Sequence, residues 1–321
     1  MSLLKLRLSM IGTLTLIIGM STLFLTIILN LLGITNLLTI ALFIVFFNVL
    51  QWLMAPYLID AMYHTRKITR HENPRLYSIV ERLSRKSGIK MPDIMIARIP
   101  IPNAFAYGSP LTGNRVAVTT ELLNTLEEEE VEAVIGHELG HLKHRDVQIM
   151  MFVSILPALF YYIGYSLIWS ARFSRDERDN AGLAVLIGLL SIVIYWVLTL
   201  FTLYLSRLRE YYADRHSVSV VDDGARKLSE ALAKIAYTTE RVKRFHPRVR
   251  SLSSFKALFI SDPDSARRDL EEMSSMGMIM DDRAIVERYL RRRITGADRL
   301  AEIFSTHPNL VKRLRALQEL S

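Results

Sequence analysis

The sequence predicts a mostly helical α+β protein in which four transmembrane helices carry a mixed α/β part outside the lipid. Three observations predict it. The first is the distribution of charge: 50% of the 321 residues are hydrophobic and 22% are charged. Yet no charged side chain occurs from Leu8 to Ile59, from Val147 to Ala171 or from Asn180 to Ser206, and a bilayer core calls for runs of about 20 apolar residues. The second is the change of pattern between those runs, where strand-like stretches sit among helical spacings. The third is His137-Glu138-Leu139-Gly140-His141, which on a helix aims two imidazoles from adjacent turns at one point with a carboxylate beside them.

The first apolar run is divided by the turn residues Gly33-Ile34-Thr35-Asn36 into spans at Met10 to Leu32 and Leu37 to Tyr57. It is longer than a signal-peptide core and lacks a small-residue cleavage site, so it is expected to remain a hairpin. The other runs give spans at Val147 to Trp169 and Ala181 to Tyr204. Pro157 inside the third span is tolerable, because neighbouring membrane helices can satisfy the backbone groups it frees. Four spans leave both termini on one side. Lys5, Arg7, His64, Arg66, Lys67, Arg70, Lys143, Arg145, Arg207 and Arg209 all lie on that side, which predicts that it is cytoplasmic. The opposite loop, Arg172 to Asp179, balances its three arginines with Asp176, Glu177 and Asp179. A net charge of +8 then reads as attraction to anionic lipid headgroups rather than to nucleic acid.

Between Asp60 and Asp146 the elements follow in order. Leu76, Ile79, Val80 and Leu83 recur at helical spacing after Pro74, and Gly88 closes that helix. Strands are expected at Asp93 to Ile99 and Arg115 to Thr119, with a turn around Gly108 to Gly113. A helix from Glu127 to Arg145 carries the histidine motif, its acidic start and basic end matching the helix dipole. After Tyr204 helices are expected at Arg207 to Val218, Gly224 to Arg241, Asp281 to Arg293 and Asn309 to Leu320. The divisions are 1–59, an N-terminal transmembrane hairpin; 60–146, a cytoplasmic α/β part; 147–204, a second hairpin; and 205–321, a cytoplasmic helical part.

The H-E-x-x-H arrangement is that of zinc hydrolases, in which catalytic zinc usually has three protein ligands and an open position. With no cysteine in the chain, disulfides are excluded and the ligands must be nitrogen and oxygen. His144 shares a face with His137 and His141, but it stands about two turns, roughly 10 Å, from His137. Glu210 is the other candidate. Arg207, Glu210 and Asp214 recur at i, i+3, i+7 and project from one helical face. Two spans go out and back between His141 and Glu210, so a hairpin would hold the histidines and the glutamate side by side. His64, His71, His216 and His246 have no such spacing, and the methionines at 273, 276, 278 and 280 read as packing or loop rather than a copper site.

At this point the sequence resembles the membrane-bound M48 zinc metallopeptidases, most closely their HtpX-like branch. The resemblance is carried by the two N-terminal spans, Pro102-Asn103-Ala104-Phe105-Ala106, the His137 to His141 motif, the span pair, the Glu210 to Asp214 motif, and Thr306-His307-Pro308 with Arg313. It implies a zincin-type, gluzincin-like cytoplasmic metalloprotease domain with one Zn²⁺ on His137, His141 and Glu210. It also implies Glu138 as general base, Arg207 and His307 as helpers at the substrate carbonyl, Asp214 orienting a zinc-binding histidine, and Asn103, Ala104, Phe105 and Ala106 as a strand that receives unfolded substrate. The implied activity is zinc-dependent cleavage of misfolded or damaged membrane proteins at the cytoplasmic face of the cell membrane. The alternatives are a selective processing protease of the prenyl-protein (CAAX) type and a non-enzymatic membrane scaffold.

Overall fold

The computed structural model describes residues 37–171, 178–245 and 282–321. The expected first span, most of the Arg172 to Asp179 loop, His246 and the methionines at 273–280 lie outside these residues.

The described chain opens with helix α1 (Leu37–Tyr63) and a short strand β1 (Arg66–Lys67). Helix α2 (Pro74–Ser87) follows, started by the Asn73 side chain accepting from the Leu76 N–H at 3.1 Å and closed by Gly88 in the left-handed region. Then come β2 (Asp93–Ala97), β3 (Ala104–Ser109), β4 (Gly113–Thr119), α3 (Thr120–Thr125), α4 (Glu128–Lys143) and α5 (Asp146–Ala171). The rest is helical: α6 (Arg178–Val220), α7 (Gly224–Phe245), α8 (Asp282–Arg291), α9 (Gly296–Ile303) and α10 (Leu310–Gln318).

Three helices among the described residues are long and apolar enough to cross a membrane: α1, α5 and α6 reach mean hydropathies of 2.1, 1.8 and 2.6 over their most apolar stretch. Pro157 sits inside α5 without ending it. Helix α6 has 43 residues, about 65 Å at 1.5 Å per residue, against a hydrocarbon core of about 30 Å. The expected fourth span and the expected Arg207 to Val218 helix are therefore one rod, since no glycine or proline interrupts the chain between Tyr204 and Val220. Helix α5 packs along its upper part. A Cβ on Gly164 would stand 2.7 Å from the Gly188 carbonyl oxygen, and one on Gly188 would stand 2.9 Å from that of Gly164, so the pair allows the close approach on which membrane helices rely.

The sheet runs in the order β1-β2-β4-β3, with β2 and β4 parallel and the other pairs antiparallel. Strand β3 is an edge. Side chains alternate between faces, as the strand period requires. One face, with Ile94, Ala104, Val116 and Val118, joins a core shared with α2, α4, α7, α8 and α10. The other, with Met95, Ala97, Phe105, Tyr107 and Ala117, packs on Tyr63 from the end of α1. The sheet thus lies between a membrane-length helix and the helix carrying the histidines. Asp60 at the end of α1 fixes this arrangement: it accepts from the Tyr107 hydroxyl at 2.6 Å and pairs with Arg115.

Candidate metal centre

Helix α4 starts with a capping box in which the Glu127 N–H donates to the Glu130 carboxylate at 2.7 Å. It then runs through the interior. Its approach to α6 is set by two glycines one turn apart: a Cβ on Gly136 would meet Ser217 Oγ at 3.0 Å, and one on Gly140 would meet Ala213 Cα at 3.0 Å. Ser217 locks the crossing by donating to the Ala133 carbonyl at 2.6 Å. Glycine here is a matter of space, because any larger side chain would push α6, and with it Glu210, away from the histidines.

The crossing brings ligand atoms of His137, His141 and Glu210 within 4.8 Å of one another. His137 Nε2 and His141 Nε2 face each other at 3.2 Å. Their distances to the two Glu210 oxygens are 3.7 Å and 3.5 Å respectively. Each ring has a carboxylate behind it. Asp214 Oδ1 stands 2.9 Å from His137 Nδ1, close in distance although bent from a linear hydrogen bond, and Asp146 Oδ2 stands 2.6 Å from His141 Nδ1. A carboxylate at Nδ1 keeps the proton there and leaves Nε2 as a lone pair. Two such lone pairs at 3.2 Å, with the Glu210 carboxylate beside them, repel unless a cation lies between them. The donor set, two imidazole nitrogens and a carboxylate without sulfur, therefore fits a borderline cation such as Zn²⁺.

Three titrating groups respond to this cluster. Burial lowers the basicity of His141, but the hydrogen bond to Asp146 and the charges of Glu210 and Glu138 outweigh it and push the ring up to about 9. A proton there stands where a metal ion would. Burial pushes the Glu138 carboxyl up to about 7, with the charge of His141 and the Ala106 N–H pulling back and the Glu210 charge adding to the rise. His137 is displaced downwards by burial, against the pull of Asp214.

A cavity of about 180 Å³ opens beside this cluster, lined by Ala104, Phe105 and Ala106 of the edge strand, His137, Glu138, His141, Arg209, Glu210 and His307. Asn103, just before the strand, is fully buried, and its backbone N–H donates to Thr119 Oγ1 at 2.9 Å. His307 Nε2 lies 3.5 Å from Glu210 Oε1. Arg207 lies outside the cavity lining. Its Nη1 donates to the carbonyls of Glu302, Ile303 and Ser305 at 2.7, 3.0 and 2.7 Å, so it anchors the segment leading to His307. His144 also turns elsewhere, its ring 6.0 Å from that of His216.

Three residues near the cluster had no role assigned from sequence. Arg313, almost wholly buried, grips Asp214 at 2.5 and 2.9 Å and reaches Glu210 at 3.2 Å. Asp146 pairs with Arg209 as well as with His141. The available signal was charge at the edge of apolar helices, which calls for a partner. The turn that folds Asp146 back onto His141 rests on Arg145 at φ 55°, left-handed in a non-glycine residue, and spacing does not reveal that.

The family profile described as Peptidase family M48 matches residues 70–321. Among the similar curated proteins, a protease HtpX homolog of Thermoplasma acidophilum is 39% identical over 278 residues, 85% of this chain and 82% of that protein. Protease HtpX homolog 2 of Saccharolobus solfataricus is 37% identical over 297 residues, 90% of this chain and 87% of that protein, and the homolog of Aeropyrum pernix is 38% identical over 274 residues, 84% and 82%. The crystal structure of S. mikatae Ste24p superposes with a TM-score of 0.52 at 17% identity, covering 95% of this chain and 64% of that one, which is a likeness of fold. With a profile matching most of its length and relatives of this similarity, the chain belongs to peptidase family M48, and it is a protease.

Proposed function

We propose that the chain is a zinc-dependent endopeptidase of the cell membrane that cleaves unfolded stretches of misfolded or damaged membrane proteins at the cytoplasmic face. One observation carries the reading. Ligand atoms from α4 and α6 converge, with Glu138 beside them, where two helices long and apolar enough to span a bilayer leave their apolar stretches.

His137, His141 and Glu210 would hold the ion. When bound, it supplies Lewis acidity, lowering the pKa of a water towards neutrality and polarising the scissile carbonyl. Glu138 takes the proton of the attacking water and delivers it to the leaving amine nitrogen. Its pKa, raised to about 7 by burial, suits a group that must both accept and give a proton near neutral pH. His307, at the rim beside Glu210, meets the negative charge that develops on the carbonyl oxygen, and Arg207 holds the segment that presents it. Asp214 and Asp146 keep the two ligand rings in the tautomer that frees Nε2.

The substrate joins as an added strand along the side of β3 that faces away from β4, over the stretch Asn103 to Ala106. The Ala106 N–H is directed at Glu138, so a strand paired there lies against the general base. Backbone pairing reads little of the substrate's sequence. A cavity of about 180 Å³ favours an extended peptide over an isoprenoid chain, since enclosed ligand pockets usually hold about 300–1,000 Å³. The basic residues around α1, α4 and α6 support a cytoplasmic active site with both termini on the same side.

The test is proteolysis of an unfolded membrane protein in detergent with zinc added, comparing wild type with Glu138→Gln. A loss of about 10²–10⁴-fold is expected, and equal cleavage by both would overturn the mechanism.

A further inference from the structure

Helix α9 has its polarity inverted. Its two acidic residues, Asp298 and Glu302, are 3% and 8% exposed, while Leu300 and Ile303 are 58% and 43% exposed. Arg293 and Arg299 flank them at the surface. In water this arrangement is the reverse of an ordinary amphipathic helix.

The surroundings explain it. Arg207 lies three residues beyond Tyr204, and its guanidinium sits over the Tyr204 ring at 5.7 Å. Its Nη1 also holds the carbonyls of Glu302 and Ile303, so the end of α9 is pinned beside Tyr204. That tyrosine belongs to an exposed stripe on α6, Phe201, Tyr204 and Leu208, spaced to follow one helical face out of the apolar stretch. An exposed tyrosine at the end of a span marks the interface between lipid and water. Leu300 and Ile303 thus continue a lipid-facing surface at headgroup level, with two arginines beside them.

We propose that the exposed face of α9 is a second membrane contact, inserting Leu300 and Ile303 at the headgroup boundary of an anionic leaflet, with Arg293 and Arg299 on the lipid phosphates. The inference rests on the reading that α5 and α6 cross a bilayer. Its consequence reaches the metal centre: the Arg207 atom that holds α9 also holds the Ser305 carbonyl at 2.7 Å, two residues before His307. Lipid contact therefore steadies the segment that presents His307.

The chain has no cysteine, so single cysteines label cleanly. Leu300→Cys and, separately, Phe201→Cys are introduced into the full chain, labelled with an environment-sensitive fluorophore and reconstituted in phosphatidylglycerol nanodiscs with a shallow lipid-borne quencher. Quenching at both positions is expected, with about half lost at position 300 when phosphatidylcholine replaces phosphatidylglycerol. Quenching at position 201 but not 300 overturns the α9 contact and leaves the spans standing. Quenching at neither overturns the spans as well. Equal quenching in the two lipids overturns the anionic partner.

Discussion

Replacing Asp214 by asparagine tests how the metal centre is held. The side chain is 2% exposed and serves two partners: His137 Nδ1 at 2.9 Å, and Arg313 through Nη2 at 2.5 Å and Nε at 2.9 Å. An amide has one oxygen where the carboxylate has two, and both partners present donors. If the amide nitrogen turns to His137, the ring must move its proton to Nε2 and lose the lone pair aimed at the ion. If it turns to Arg313, that guanidinium is left with Glu210 Oε2 at 3.2 Å as its main anion and draws the carboxylate away from the histidines. Either outcome weakens the site. Loss of such a supporting carboxylate typically lowers metal affinity about 10–100-fold, or roughly 1.4–2.8 kcal/mol. Breaking a buried ion pair outright costs about 3–5 kcal/mol; asparagine keeps part of the bonding, so the metal-free fold should lose about 1–3 kcal/mol. Zinc affinity is measured by competition with a chromophoric chelator, and folding by circular dichroism. A folded variant with wild-type zinc affinity would refute the reasoning.

Metal affinity should depend on pH with a definite sign. His141 titrates near 9 without metal, so below that value the ion must displace a proton, and affinity rises with pH and levels off above about 9; calorimetry in two buffers of different ionisation enthalpy should detect about one proton released at pH 7–8. Gly140→Val should cost about 1–3 kcal/mol of overpacking and strongly reduce zinc binding, because its Cβ would meet Ala213 Cα at 3.0 Å; retained binding in a folded protein would contradict the close crossing. Arg207→Gln should lower kcat about tenfold or more, the scale of a misplaced helper, while leaving zinc affinity unchanged, and a parallel loss of metal would place Arg207 at the ion instead.

Much of the fold was legible because its signals are local. Pro74 and Gly88 marked the two ends of α2, and the acidic run at Glu127 to Glu130 marked where α4 begins. Strand β3 and helix α9 were not read from periodicity. In β3 nearly every side chain is buried, so no polar alternation marks it, and in α9 the polarity is inverted. The continuity of α6 was missed because hydropathy ends at Ser206 whereas backbone hydrogen bonding does not.

The sequence by itself determined the chemistry: two imidazoles and a carboxylate one turn apart on one helix, no thiolate, and apolar runs of bilayer length, all set by covalent spacing. It also named Glu210, although His144 stayed open. Only the tertiary structure shows which of the two side chains comes near, since it is the approach of α6 across Gly136 and Gly140, some seventy residues away in sequence, that brings the Glu210 carboxylate to the ring nitrogens. The same holds for the carboxylates behind the rings and for the turn of Arg207 away from the cavity. These depend on how close two helices come and what fills the gap between them, and a linear pattern carries no distance across a packed interface.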